Sequence, residues 1–147
     1  MNAVDLRGEV GLGSVRERIE GLARLVEQEI LDTDTVTVGG VPAPVNSRRR
    51  TPYDGLCGLS VERLGELAPD LRIRTFSFQT QWSAGHPAAD IWDCSRHAMA
   101  EIITREGTFY VDPTLRQYFP DITDLPLVYG QDDQYPLIVP QDSVQYF

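Results

Sequence analysis

At 147 residues the chain suffices for one domain with a core of its own. Its 13 basic and 22 acidic residues leave a net charge of −9, which argues against the clustered cationic surface that a nucleic-acid backbone demands. Two cysteines exclude a disulfide scaffold, and no stretch approaches the roughly 20 apolar residues of a membrane span.

Taken in chain order, Met1 to Val10 lacks the apolar centre of a signal peptide, so the expected setting is a reducing cytoplasm in which thiols stay free. Residues 14–31 read as a helix. Ser14 and Glu17 form a capping box, and Val15, Ile19, Leu22, Val26 and Ile30 make one apolar stripe at three- and four-residue steps. Residues 32–52 are a connector rich in Asp, Thr, Gly and Pro, with a short strand expected at Thr35–Val38. The run Arg48-Arg49-Arg50 reads as a solvated loop rather than a docking patch.

A second helix is expected from about Gly55 to Leu67, capped by Asp54 and stopped by Ala68-Pro69-Asp70. Cys57 then lies in its first turn, where the positive end of the helix dipole favours thiolate over thiol. Val61 and Leu64 follow Cys57 at four and seven residues, which sets the thiol at the edge of the core-facing side. A strand is predicted at Arg72–Gln81, with Phe76, Phe78 and Trp82 in one phase. Residues 83–95 read as a loop. His97–Thr104 and Thr108–Asp112 are predicted as two strands joined by turn chemistry at Glu106-Gly107. Beyond Pro113 the chain is rich in Pro, Asp and Gln, with apolar islands at Leu127–Tyr129 and Leu137–Val139 that suit one or two further strands.

Three residues stand where these elements begin or end: Cys57, His97 and Asp112. A thiol is a useful nucleophile as thiolate, an adjacent imidazole is the usual means of making one, and a carboxylate on the other ring nitrogen fixes the tautomer. Their convergence depends on hairpin register. A loop of only Glu106-Gly107 puts Asp112 opposite Glu101, about 13 Å along the strand from His97. A longer loop, Thr104–Gly107, puts it opposite Met99, with His97 as its same-face diagonal neighbour at roughly 7–8 Å between backbones. Simpler identities stand beside these: Cys57 as a small buried residue, His97 as a satisfied core histidine, Asp112 as a strand-ending turn residue. Glu101 is the fallback acid, read otherwise as an exposed strand carboxylate. Cys94 and His97, with Cys57 and His86, have a spacing that invites zinc, but a structural site usually shows two close ligand pairs and only one is present here. Neither a metal nor any other cofactor is expected. Trp82 and Trp92 flank the loop before His97 and could wall a cleft, with Trp82 better read as core.

The segments Gly55-Leu56-Cys57, His97-Ala98-Met99-Ala100-Glu101 and Gly107 to Thr114 together resemble the transglutaminase-like and papain-like cysteine enzymes. In those proteins a cysteine opens a helix packed on a sheet whose adjacent strands carry the histidine and then the acid. The intervals from Cys57 to His97 and on to Asp112 are similar to those of arylamine N-acetyltransferases. Those enzymes are far longer, and have Arg-Gly-Gly before the cysteine where this chain has Asp54-Gly55-Leu56. The stretch Val111 to Gln117 looks more like bacterial transglutaminase-like peptidases and protein-glutamine deamidases. The small leader peptidases of lasso-peptide biosynthesis resemble it in size but usually carry an aromatic residue where Met99 stands.

The resemblance covers Tyr53 to Phe119. It implies an α+β fold, N-terminal helices on an antiparallel sheet, in one transglutaminase-like domain. Residues 1–52 would form a helical part and connector, 53–119 the catalytic core, and 120–147 a C-terminal extension. It further implies a Cys57 thioester formed from an amide or other acyl carbonyl and passed to water (peptidase, deamidase) or to an amine. The Cys57 amide is the expected oxyanion donor at a helix N-terminus. Tyr53, Asn46 and Gln117 are further candidates near the substrate. The substrate would be a peptide, protein or small amide, presented by a partner or carrier protein, and the acidic balance suits a cationic peptide or amine. The rival reading is a non-catalytic binding module on the same scaffold, with the tail from Tyr129 to Phe147 docking a partner.

Overall fold

Ser14 and Glu17 close the expected capping box: the Ser14 amide donates to Glu17 Oε1 at 2.8 Å and the Glu17 amide to Ser14 Oγ at 3.1 Å. From this cap α1 runs over Val15–Thr33 and buries Ile19, Ala23, Val26 and Ile30. It ends two residues later than expected, where the Thr33 hydroxyl donates back to the Glu29 carbonyl. The computed structural model describes residues 14–33, 35–42, 57–80, 96–119, 122 and 124–147. Expectations for Asn46, the Arg48–Arg50 run, Tyr53, Asp54, Gly55, Trp82, His86, Trp92 and Cys94 lie outside those residues.

Two short strands follow, β1 (Thr37–Val38) and β2 (Val41–Pro42), paired across Gly39-Gly40. Both glycines hold positive φ, 61° and 77°, a geometry that side-chain-bearing residues resist. The strand expected at Thr35–Val38 is thus one arm of a tight hairpin. Next come α2 (Cys57–Leu67), β3 (Arg72–Gln79), β4 (Arg96–Thr104) and β5 (Gly107–Val111). Farther on are β6 (Val128–Gly130) and β7 (Gln145–Tyr146). The five strands β3 to β7 form one antiparallel sheet in the order β6-β5-β4-β3-β7. The fold is α+β, with two α-helices and an antiparallel five-stranded sheet among the described residues.

Alternation along the strands gives the sheet two different faces. Ala100, Ile102, Phe109, Val111 and Val128 are buried on one face, where Arg16 of α1 lies over the Phe109 ring. The opposite face carries Phe76, Met99, Glu101, Tyr110, Tyr129 and Tyr146, as the cross-strand pairs require. Glu101, expected to be exposed, is 4% exposed. Arg74 stands directly across from it and donates from Nε to its Oε1, so the carboxylate is buried with a cationic partner.

The apolar island at Leu137–Val139 forms no strand. It packs by Leu137, which is buried, while Gln145–Tyr146 supplies the edge strand instead. The tail after Pro126 therefore folds onto its own sheet, extending one edge through β6 and the other through β7.

Candidate functional site

The hairpin register settles the first geometric question. Thr104 pairs with Gly107 and Ala100 with Val111, leaving only Arg105-Glu106 as the turn. The turn falls one residue earlier than Glu106-Gly107. Gly107 at φ 129° allows it, and the Thr104 hydroxyl ties it by donating to the Gly107 carbonyl and accepting from the Glu106 amide. Continued by one residue past the end of β5, this register sets Asp112 opposite Met99, next to His97 on the diagonal. It is the pairing a triad needs, reached through a two-residue turn rather than a longer loop.

His97, the second residue of β4, has no solvent exposure, and neither has Asp112. His97 Nε2 lies 2.7 Å from Asp112 Oδ2. Its other nitrogen, Nδ1, lies 3.2 Å from the Tyr118 hydroxyl. Phe78 and Tyr118 meet the imidazole edge-on at 5.8 and 5.2 Å between ring centres, which fixes the ring plane. Cys57, half-buried at the start of α2, hydrogen-bonds to the same imidazole and takes a further bond from the Ala98 backbone amide. The three residues picked from the sequence are brought together.

The electrostatics of the three are coupled. Burial opposes ionisation of the Cys57 thiol, but the His97 hydrogen bond and charge outweigh it and, with the Ala98 amide, hold its pKa below the ordinary thiol value. Burial likewise opposes protonation of His97. The Asp112 charge and hydrogen bond win, helped by Cys57, and raise the imidazole to about 10. A raised thiol would have meant an inert cysteine; here proton affinity has moved from sulfur to nitrogen.

That exchange has a measurable consequence for stability. A histidine raised from 6.5 to about 10 contributes fully below pH 6.5 and loses its contribution as pH rises towards 10. A depressed thiol contributes above its unfolded value of about 9 and loses it as pH falls, so the two slopes oppose each other. Urea midpoints of a Cys57→Ala protein, in which Asp112 still raises the ring but the thiol no longer does, are therefore expected to fall as pH rises above 6.5, and those of the unsubstituted protein to fall less steeply. Parallel profiles for the two proteins would contradict the coupling.

Two tyrosines that sequence reading passed over complete the arrangement. Tyr118 ends the 3-10 turn Leu115–Tyr118, and the Gln117 amide bonds to the Thr114 carbonyl within it. Gln117 is buried on this turn, but the side chain of the turn that reaches the imidazole is that of Tyr118. The signal available was Pro113 directly after Asp112, which ends the strand and leads into the turn closed by the Leu115 amide on the Asp112 carbonyl. Tyr135 donates its hydroxyl to Asp112 Oδ2, the oxygen that also faces His97 Nε2. Burial and the Asp112 charge push the Tyr135 phenol well above its usual pKa, so it stays a donor. Thr114 Oγ1 approaches the other oxygen, Oδ1, at 3.4 Å.

Glu101, the alternative acid, is occupied by Arg74 and lies two strand steps beyond Met99, away from His97. Among the described residues no group of three or more His, Cys, Asp or Glu side chains is placed to hold a metal ion. No helix is long and apolar enough to cross a membrane among them. Comparison of the chain with protein-family models, with curated proteins and with solved structures finds no match.

Proposed function

We propose that the protein is a cysteine-nucleophile enzyme that acts on an amide or other acyl carbonyl through a Cys57 thioester. The observation that carries this reading is the His97 ring, held by Asp112 on Nε2 and hydrogen-bonded to a thiol of lowered pKa. With its proton passed to the His97 imidazole, the Cys57 sulfur attacks the carbonyl carbon, and the carbonyl electrons move to oxygen. The Cys57 backbone amide, at a helix N-terminus, is the expected donor to that oxyanion. On collapse His97 gives its proton to the departing amine and a thioester remains. The neutral imidazole then takes a proton from water or from an acceptor amine as it attacks, and the thiolate leaves.

The order helix, histidine strand, acid after the adjacent strand supports a transglutaminase-like, papain-like core for residues 53–119. The chemistry needs no cofactor. A thiolate nucleophile works in reducing surroundings, so we place the protein in the cytoplasm, acting on a peptide, protein or small amide.

Alkylation by iodoacetamide near neutral pH, with adducts mapped by mass spectrometry, tests this. Cys57 is expected to react faster than a thiol of ordinary pKa at pH 7, by up to about tenfold, with its rate-against-pH curve displaced to lower pH. Equal, slow labelling of Cys57 and Cys94 would leave a non-catalytic binding module as the better account of the scaffold.

A further inference from the structure

The sheet face that carries Phe76, Met99 and Tyr110 also holds a cavity, which Cys57 does not line. Its volume is about 260 Å³, and its walls include Phe76, Tyr110, Tyr129, Tyr135 and Tyr146, with Met99 among the lining. Phe76 meets Tyr110 at 5.4 Å and 71°, and Tyr146 at 5.5 Å and 81°; Tyr129 meets Tyr135 at 5.2 Å and 84°. Rings set nearly at right angles offer an occupant more than one π face, each carrying negative charge density. Asp133, an exposed carboxylate, also borders the cavity, with Gln131 and Gln141.

We propose that this cavity is a binding site for a small organic cation, an alkylammonium or quaternary ammonium group of side-chain size. Its size lies just under the range that holds drug-sized ligands, which suits a single headgroup. The wall already binds a cation from outside: the Arg74 guanidinium stacks on Tyr146 at 3.7 Å from the ring centre. An anion finds less here. The two guanidiniums nearest the cavity are engaged, Arg74 by Glu101 and Arg16 by Asp133. The phenols of Tyr110 and Tyr129 are both raised, Tyr129 to about 12, by burial first and then by Glu101 and Asp112 respectively. Burial, the larger cause, opposes charge of either sign; Glu101 and Asp112 add the negative field that sets a cation apart from an anion here.

The site does not depend on Cys57 being a nucleophile, though Tyr135 belongs to both, lining the cavity and holding Asp112. The chain has two methionines, so protein labelled with carbon-13 in its methionine methyls reports on Met99 directly, with Met1 as internal reference. Titration with choline chloride, against sodium chloride at equal ionic strength, is expected to shift the Met99 methyl signal saturably. Dimethylbutanol, in which a tert-butyl group replaces the trimethylammonium, should bind at least about fivefold more weakly, the difference being the cation–π contribution. Tyr146→Leu, on the exposed edge strand, should weaken choline about threefold or more. Tyr110→Leu serves the same purpose should the first variant lose β7. Cys57→Ser should bind as the unsubstituted protein does, which keeps this result separate from the fate of the thioester reading. A Met99 signal unmoved by choline would overturn the proposal, and so would equal affinity for the neutral isostere, which would mark a merely apolar pocket.

Discussion

Replacing His97 is expected to slow alkylation of Cys57 at pH 6.5–7 by about tenfold or more, because the group that holds the thiol below its ordinary pKa is removed. The cause is specific. Burial pulls the Cys57 pKa up, and the imidazolium, by hydrogen bond and charge, pulls it down further than burial raises it. With the ring gone the burial remains, so the thiol should rise above its unfolded value of about 9 rather than return to it. The rate-against-pH curve therefore distinguishes the mechanism from simple loss of fold: it should move to higher pH while the plateau at high pH is retained. His97 is fully buried and contacts Phe78 and Tyr118, so His97→Ala leaves a cavity in the core. His97→Gln fills more of that space and carries no charge, and should shift the curve in the same direction. An unshifted curve in a folded His97→Gln protein would show that the imidazole does not ionise the sulfur.

Asp112→Ala should cost about 3–5 kcal/mol of stability, the usual penalty for stripping one partner from a buried ion pair. Its carboxylate takes the Tyr135 hydroxyl and faces His97 Nε2, and Thr114 Oγ1 lies near it, all in a region without solvent access for Asp112 or His97. His97 and Thr114, both without solvent exposure, lose an acceptor they cannot replace with water. The stability change also has an electrostatic signature. Without the carboxylate the largest influence left on His97 is burial, which lowers its pKa, so the ring should be neutral at pH 7. Asp112→Asn keeps the shape, and is expected to cost less stability while still neutralising the ring. Urea unfolding gives the first quantity, and titration of the His97 ring proton by NMR gives the second. A ring that still titrates near 10 in Asp112→Asn would assign the raised pKa to some other group.

The local elements were written in nearest-neighbour chemistry. Ser14 with Glu17 marked the start of α1, the stripe through Ile19, Val26 and Ile30 marked its buried side, and both appear as expected because capping and periodicity act within one or two turns. Cys57, His97 and Asp112 were legible for the same reason: each stands at an element boundary that local signals could place. Their meeting was not legible. It turned on one residue of hairpin register, and two alternatives remained until Thr104 was seen to pair with Gly107, because a turn's position depends on φ at Gly107 and on the Thr104 hydroxyl.

What lay wholly beyond sequence reading came from contacts across long stretches of chain. Composition and periodicity by themselves determined a mixed α+β chain, the first helix, the strand pair around His97 and Asp112, and the chemical types gathered at the site. Only the tertiary structure decided that Glu101 is buried against Arg74, that the tail supplies both edges of the sheet, and that Tyr135 and Tyr118 brace the acid and the imidazole. Periodic patterns report which side of an element is buried. They carry no information about which distant element covers it, since that depends on the free energy of packing summed over the whole fold.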